Sequence, residues 1–302
     1  MLTKPIHLEK VSERFILDLS LKLEAGSPLH IGAGSEGVNK MLLKFVVNGK
    51  TFPIIPAESL KGVLRSLAFS LSKQIFSDNW ALKYHVKDRH VKRRNVEKNE
   101  QKRIIESYLE KAEETLESVL PKDFIKEMVE GDKLQLIEYY FALNCPVCKL
   151  FGAQGVSGKL ILSDGIPNIS PRFFTYTSTS INRKTRIVEE NRLYNVAAVK
   201  PDDDLRYRVR IIGDNIYKGT EEAKLLSAVL QWVLRLGLQV GGLKSYGYGR
   251  LFIDENESTV KLLKLVEDPQ GDETLLNNVR ALLLKNGYFQ VMKIDGFTKW
   301  LK

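Results

Sequence analysis

A glycine-rich segment carries groups that could bind a phosphate chain. It reads Gln-Val-Gly-Gly-Leu-Lys-Ser-Tyr-Gly-Tyr-Gly-Arg over residues 239–250. Glycine allows close backbone approach, consecutive amides beside a cation can hold phosphate oxygens, and tyrosine rings stack on bases. The candidate binding residues are Gly242, Lys244, Ser245 and Tyr246. The segment has neither the P-loop pattern nor the strand-to-helix context of a dinucleotide loop, so we expect no nucleotide cofactor. The alternative is a flexible connector.

A second group of cations lies on a predicted helix. Apolar residues recur at helical spacing from Leu60 to Leu71, after a Pro53–Pro56 lead-in. Lys61 and Arg65 are four residues apart and therefore share one face near the helix start. They could flank a phosphate that also meets the free amides of the first turn. A solvated basic face is the alternative.

Two cysteines and two histidines have spacings that suit a metal. Cys145 and Cys148 form a Cys-x-x-Cys pair, in which two thiolates can share one tetrahedral zinc ion. His85 and His90 offer the two further ligands that a structural zinc site needs. The alternative is a pair of half-buried thiols. A redox role lacks the surrounding βαβ pattern.

The composition is typical of a soluble globular protein, and the positive net charge favours a polyanionic partner. The 302 residues are 43% hydrophobic and 27% charged, and the formal net charge is +9. Residues 83–103 contain nine Lys/Arg and three Asp/Glu. Two cysteines do not make a disulfide framework. The first residues lack the apolar core of a signal peptide, and no apolar run is long enough to cross a membrane. We therefore expect a cytoplasmic protein without membrane contacts.

The elements that would position these groups alternate between strands and helices. Strands are predicted at 15–24, 41–47, 159–163, 205–211 and 251–253, and an amphipathic helix at 221–236 is closed by Gly237. Asn48-Gly49 predicts a hairpin turn. On the strand at 205–211, Arg206, Arg208 and Arg210 face outward. Residues 78–140 carry many charges together with apolar residues at helical spacing, which predicts a helical insertion. A further helix is expected around 275–284.

A long polar span, residues 167–200, interrupts this pattern. It is rich in hydroxyls and cations, among them Arg183, Lys184 and Arg186. A polar span of this length inside a domain is more often a functional protrusion than filler, so we expect a projecting β-hairpin.

Without its insertions, the chain has the element order strand, helix, strand, strand, helix, strand. The fold class is therefore α+β with a ferredoxin-like (RRM-type) core, which cannot by itself assign a function.

Five stretches in this order resemble one family. They are Leu29-His30-Ile31-Gly32, the run from Pro53 to Arg65, the run from Cys145 to Gly152, Ser180-Ile181-Asn182-Arg183-Lys184-Thr185, and the glycine-rich loop at 241–249. The pattern resembles the RAMP superfamily of CRISPR proteins, and most closely the repeated backbone subunit of type III effector complexes. The similarity covers roughly residues 15–255. Each stretch alone is weak, but five in register are specific.

The resemblance implies a single elaborated domain over residues 1–302. The core would comprise about 15–76, 159–164 and 205–255, with a helical, zinc-like insertion at about 78–150, a β-hairpin thumb at about 167–200 and a C-terminal extension at about 260–302. Such subunits belong to antiviral ribonucleoprotein complexes and stack along a guide RNA. They contact its backbone while base pairing reads the target RNA. Lys61, Arg65, the glycine loop and the thumb cations would hold guide phosphates. Partners would be other RAMP subunits and copies of the chain itself.

One position departs from the family pattern. Cleaving relatives carry an aspartate in the segment that aligns with residues 37–40, where this chain has Asn39 or Lys40. An amide cannot act as a general base or bind a metal as a carboxylate does. We therefore expect a non-cleaving subunit, with Lys40 among the RNA-binding cations. The alternatives are a metal-dependent endoribonuclease that uses Glu36 or His30, and a terminal capping subunit that binds one end of the guide.

Overall fold

The structure, a computed structural model, describes residues 11–36, 39–47, 49–86, 89–91, 97–181, 188–264 and 290–302. The strands are β1 Glu13–Leu23, β2 Gly32–Glu36, β3 Asn39–Leu42, β4 Lys44–Val47, β5 Lys50–Pro53, β6 Leu160–Leu162, β7 Ile166–Pro167, β8 Phe173–Ile181, β9 Val188–Val199, β10 Arg206–Asp214, β11 Leu238–Gln239, β12 Arg250–Ile253, β13 Thr259–Lys264 and β14 Gln290–Lys293. The helices are α1 Ala57–Ile75, α2 Trp80–Tyr84, α3 Lys98–Glu117, α4 Lys122–Gly131, α5 Lys133–Asn144, α6 Pro146–Phe151, α7 Glu221–Leu236 and α8 Ile294–Trp300, and a 3-10 turn spans Lys244–Tyr246.

The main sheet is antiparallel and has the strand order β11-β12-β1-β10-β6. Strict alternation along β1 places Leu17, Leu19 and Leu21 on one face, where they are buried. They lie opposite Ile211, Val209 and Tyr207 of β10. The apolar faces of α1 and α7 cover this side of the sheet, so the core lies between the sheet and two helices.

The predicted helix at 221–236 is confirmed with the same bounds as α7. Its first turn is capped by the Thr220 side chain, which accepts a hydrogen bond from the Ala223 amide. Gly237 follows at φ +76°, a conformation that glycine adopts without steric cost, and it ends the helix. The chain then enters β11, an edge strand, and the glycine-rich segment therefore begins at the edge of the main sheet.

The outer face of the main sheet is covered with ion pairs. Arg206, Arg208 and Arg210 face outward as predicted and pair with carboxylates of neighbouring strands and turns. The pairs are Arg206–Asp254 at 3.0 Å, Arg208–Glu257 at 2.7 Å and Arg210–Asp18 at 2.6 Å. Because these guanidinium groups already have carboxylate partners, this face is a poorer attraction for a polyanion than its arginine content suggests.

A second sheet has the order β2-β3-β9-β8. The hairpin predicted within 167–200 is present as β8 and β9, paired from Phe173↔Val199 to Ile181↔Val188. The strand predicted at 41–47 is divided at Leu43 into the end of β3 and the whole of β4, because the chain there changes sheets. The Leu43 amide donates to the Ile31 carbonyl between β3 and β4, and β4 then pairs with β5 as a separate hairpin.

The insertion at 78–140 is helical as predicted, with α2 to α5, and leads into α6. Aromatic rings fill its interior. The Trp80 ring lies 5.4 Å from that of Tyr108 and 4.9 Å from that of Phe141, and Tyr84 stacks on Phe141 at 5.2 Å. This packing positions the segment that follows α2 against the start of α6.

The C-terminal residues add two strands that the sequence pattern did not predict. β13 pairs with β1 along Glu13–Asp18, and β14 pairs with β13. The helix expected around 275–284 lies outside the described residues. The terminal α8 packs on the core, where the ring of Phe297 lies 5.0 Å from that of Phe15. Among the helices that the structure describes, each is too short or too polar to cross a membrane.

Candidate nucleic-acid interface and metal centre

The glycine-rich loop between β11 and β12 packs closely on the segment that follows β1. The Gly242 amide donates to the His30 carbonyl at 2.8 Å, and the Gly249 amide donates to the Pro28 carbonyl at 2.7 Å. The Ser27 hydroxyl donates to the Gly247 carbonyl at 2.6 Å and accepts from the Arg250 amide at 2.9 Å. The loop is therefore a fixed structure, which does not fit the flexible-connector alternative.

These contacts change the predicted chemistry of the loop. The amides of Gly242, Gly247 and Gly249 donate to protein carbonyls, so these three amides are not available to a phosphate. The exposed groups of the loop are the side chains of Lys244, Ser245 and Tyr246, and the tyrosine is 74% exposed. A cation, a hydroxyl and an aromatic ring are thus what the loop presents to solvent.

The start of α1 differs from the prediction in the same way. The Ala57 amide donates to the Asp164 carboxylate at 2.7 Å, so an internal anion already uses one of the first-turn amides that were predicted to meet a phosphate. Lys61 and Arg65 lie one turn further on. Burial, and then the charge of Arg65, lowers the pKa of Lys61. The Ala57 amide is therefore not available to an anion, and Lys61 offers a side-chain cation one turn away.

Arg65 and Lys244 flank the same strip of α1. A groove of about 500 Å³ between α1, the end of α7 and the glycine loop is lined by Ser66, Ser70 and Lys244, together with Arg250. A second depression of about 610 Å³ is lined by the same two serines with Arg65 and Lys73. Lys61 lies on the Arg65 side, since residues four apart differ by about 40° around a helix. The outward face of α1 is therefore bordered by cations on both sides.

His30 is buried at the junction of these elements. Its Nδ1 lies 2.7 Å from the Ala197 carbonyl of β9, while its own carbonyl accepts from the glycine loop. The ring is 5% exposed. His30 therefore connects the β8–β9 hairpin to the glycine loop, which is a positioning role.

The four predicted metal ligands converge on one buried point. The ligand atoms of His85, His90, Cys145 and Cys148 all lie within 4.8 Å of one another, and all four residues are buried. The Nδ1 of His85 is 3.2 Å from Cys145 Sγ and 3.4 Å from Cys148 Sγ, and the Nε2 of His90 is 3.9 Å from Cys148 Sγ. Residues 60 positions apart in the chain are thus brought together by α2, α5 and α6.

These distances suit a tetrahedral ion. With metal–sulfur bonds of about 2.3 Å and metal–nitrogen bonds of about 2.0–2.1 Å, the sulfur–nitrogen edge of a tetrahedron is about 3.5 Å. The three observed separations bracket this value. Burial opposes ionisation of Cys145, but hydrogen bonds from Cys148, His85 and His90 outweigh it and lower the pKa of its thiol, which favours a thiolate there. The hydrogen bond with Cys145, and then burial, raises the pKa of the Cys148 thiol. The cluster could therefore bind a metal such as zinc.

Glu138 supports this centre and was not identified from the sequence. Its Oε1 lies 3.0 Å from His90 Nδ1, and its Oε2 accepts from the Val91 amide at 2.8 Å. The carboxylate is 1% exposed. A carboxylate on the second nitrogen of a histidine fixes which nitrogen faces the metal, a usual arrangement in zinc sites. This contact leaves Nε2 of His90 directed at the thiols.

Comparison with known proteins assigns the chain to a family. The family model described as the RAMP superfamily matches residues 22–252. The chain belongs to the RAMP superfamily. The matched span includes α1, the His2Cys2 cluster, the β8–β9 hairpin and the glycine loop of this RAMP protein. A chain of the solved structure "Type IV-B CRISPR Complex" is 18% identical with a TM-score of 0.45, over 86% of this chain and 93% of that chain. No curated protein sequence matches.

The structure describes only some of the remaining residues that were predicted to bind RNA. Arg183, Lys184 and Arg186 lie outside the described residues, between β8 and β9. Asn39 and Lys40 lie in β3, where Asn39 pairs with Glu36 of β2, and only the backbone is described there. Two further cations, Lys73 and Arg250, line the depressions beside α1 although the sequence did not single them out.

The backbone at Gly249 lies too close to the Val240 carbonyl to leave room for a side chain. A methyl group there would lie 1.8 Å from the Val240 carbonyl oxygen at φ +74°. Gly247→Ala is the matched control, because Gly247 has φ +83° but nothing within 4 Å of the added carbon. We expect both variants to lose stability from backbone strain of about 1–3 kcal/mol, with Gly249→Ala losing distinctly more, as measured by urea unfolding. Equal losses would show that the contact with Val240 is not a constraint.

Proposed function

We propose that this protein is a guide-RNA-binding structural subunit of a type III CRISPR interference complex, which contacts the RNA backbone without reading its sequence. The observation that carries the proposal is that two depressions meet at Ser66 and Ser70 of α1, with Lys244 lining one of them and Lys73 the other. Membership of the RAMP superfamily is the second support. Side-chain cations position a phosphate chain and leave sequence recognition to base pairing.

The topology is consistent with the proposed architecture. The antiparallel order β12-β1-β10-β6, with α1 and α7 on one face, corresponds to the order expected of a ferredoxin-like core. The β8–β9 hairpin would be the thumb. Its base is tied to the glycine loop through His30, so the thumb cations Arg183, Lys184 and Arg186 would act on the same RNA strand. Lys40 would contribute from β3.

The RNA path is expected to cross the outward face of α1 from the glycine loop. Lys244, Ser245 and Tyr246 would meet the strand first, with Gly242 holding the loop in place. Lys61 would follow, on the helix face that it shares with Arg65. The tyrosine ring could stack on a base without sequence preference. The outer face of the main sheet is a poor competitor for RNA, since its arginines are paired with carboxylates.

We propose that the protein does not cut RNA. Asn39 and Lys40 occupy the segment where cleaving relatives carry an aspartate. Of the alternative catalytic residues, His30 is buried and its Nδ1 faces a carbonyl, which favours a positioning role. Guide RNA and target RNA, other RAMP subunits and further copies of this chain are the proposed partners. Several copies along one guide would distinguish a backbone subunit from a capping subunit with one.

We also propose that the His2Cys2 cluster binds one structural zinc ion. Cys145, Cys148, His85 and His90 would hold the ion and Glu138 would orient His90. Tetrahedral sulfur and nitrogen ligands favour zinc among the common ions. The bound ion would join the segment after α2 to the start of α6, and so fix the insertion to the core.

The RNA-binding proposal predicts a change in salt dependence. Lys61→Ala combined with Lys244→Ala should weaken binding to all single-stranded RNAs alike. The slope of log affinity against log salt should become shallower by about 1.4, or about 0.7 for each lost phosphate contact. Electrophoretic mobility shift over a salt series measures both quantities. Lys261→Ala is the control, because Lys261 pairs with Asp18 on the outer face of the main sheet.

A loss that depends on RNA sequence, or a slope that does not change, would contradict backbone binding by these lysines. The same reactions, supplied with divalent cations, should return full-length RNA. Cleavage that disappears with Glu36→Gln would instead support the endoribonuclease alternative.

The zinc proposal predicts one ion per chain in the purified protein. Cys145→Ser should remove it and lower the thermal midpoint, since a structural zinc contributes directly to folding. Val147→Ala is the control, because Val147 is buried between the two cysteines but offers no ligand. We expect this variant to lose packing and keep its zinc. Elemental analysis and thermal unfolding check both results, and a Cys145→Ser variant with full zinc content would disprove the site.

A further inference from the structure

Arg65 reaches away from the predicted RNA path and toward the metal cluster. Its Nη1 donates to the Gly152 carbonyl at 2.7 Å, in the turn after α6. Its Nη2 donates to Cys148 Sγ at 3.7 Å. Its Nε is buried and, within the described part of the chain, has no hydrogen-bond partner. One guanidinium group therefore contacts both a candidate metal ligand and the turn that follows it.

The charges around the centre also require a cation. Two thiolates and a divalent ion sum to zero, and the buried Glu138 carboxylate beside His90 adds a negative charge. An uncompensated buried charge is strongly destabilising. Arg65 supplies a positive charge on the cysteine side of the centre while Glu138 lies on the histidine side. Together they keep the ligands and their supporting groups electrically neutral.

The segment that Arg65 contacts is itself held rigidly. Lys149, next to Cys148, lies 3.7 Å from the Glu222 carboxylate of α7, and Lys159 lies 3.1 Å from it. The Lys159 amide donates to the Lys149 carbonyl at 2.8 Å. Because α6 is fixed to α7 in this way, the hydrogen bond from Arg65 to the turn after α6 also fixes the position of α1.

We propose that Arg65 is a positioning residue of the metal centre, which hydrogen-bonds the Cys148 thiolate and so couples the bound ion to the helix that carries Lys61. The inference rests on the zinc binding proposed above. A hydrogen bond to a thiolate withdraws electron density from sulfur, which weakens its reactivity and retains the ligand against exchange. Arg65 would then contribute to RNA binding mainly by orienting α1.

Cobalt(II) substitution of the full-length chain tests this role. Arg65→Ala should weaken cobalt affinity by about 10–100-fold, the usual effect of losing a group that supports a metal ligand. It should also move the sulfur-to-cobalt charge-transfer band to lower energy, because the sulfur electrons are no longer stabilised by the hydrogen bond. A residue that only packs α1 would not shift this band. Competitive titration and absorption spectroscopy measure the two quantities.

Two further variants make the test decisive. Lys61→Ala removes a cation one turn away on the same helix and should leave cobalt affinity and the band unchanged. Arg65→Lys keeps the charge but has one ammonium group where two N–H groups reached separate acceptors, so we expect an intermediate band position. This variant also serves if Arg65→Ala does not fold.

The outcomes separate this inference from the zinc proposal. A wild-type chain that gives no tetrahedral cobalt spectrum would overturn both. A normal wild-type spectrum, with affinity and band unchanged in Arg65→Ala and Arg65→Lys, would overturn only the role of Arg65. If those variants lose RNA affinity while the metal centre is unaffected, Arg65 serves the RNA directly and the inference is wrong.

Discussion

Close backbone contacts within the glycine-rich loop, and between the loop and the segment after β1, are the constraint on which the proposed RNA-binding face depends. The Val240 and His30 carbonyl oxygens lie where side chains of Gly249 and Gly241 would begin, at 1.8 and 2.3 Å from the added carbons. Only glycine permits this approach. The contact places Lys244 beside α1 and directs three polar side chains outward, so the glycines act by positioning the loop and leave phosphate binding to its cation.

The His2Cys2 cluster has a comparable effect on the other side of α1. Its side chains join the segment after α2 to α6, and Arg65 connects α6 to α1. α1 therefore has three supports: its apolar face on the main sheet, the His2Cys2 cluster at one flank and the glycine loop at the other. The lysines that would meet a guide strand are held by elements from distant parts of the chain, although none of these elements alone forms a binding site.

Local spacing was enough to predict some of these features. Cys145-x-x-Cys148 and His85-x4-His90 indicated the cluster, because ligand spacing is a local property of the chain, and Gly237 indicated the end of α7. Contacts between distant residues could not be inferred in this way. The partner of His90 is Glu138, 48 residues away, Asp164 caps α1 from 107 residues away, and β13 joins β1 through a register that its six residues do not encode.

The same limit explains why the sequence could not show that the amides of Gly242, Gly249 and Ala57 already have acceptors within the protein. A sequence shows which donors exist, whereas only the fold shows which acceptors they meet. Pro28, His30 and Asp164 supply those acceptors. Lys61, Lys73 and Lys244 remain as side-chain cations along α1 and the glycine loop, and the functional proposal rests on them.

Lysine footprinting of the protein with and without bound single-stranded RNA tests the central claim most directly. Acetylation of exposed lysines, quantified by mass spectrometry, should be reduced by RNA at Lys61 and Lys244 and unchanged at Lys261 on the outer face of the main sheet. Protection of Lys261, with Lys61 and Lys244 still reactive, would place the RNA on the opposite face and contradict the account.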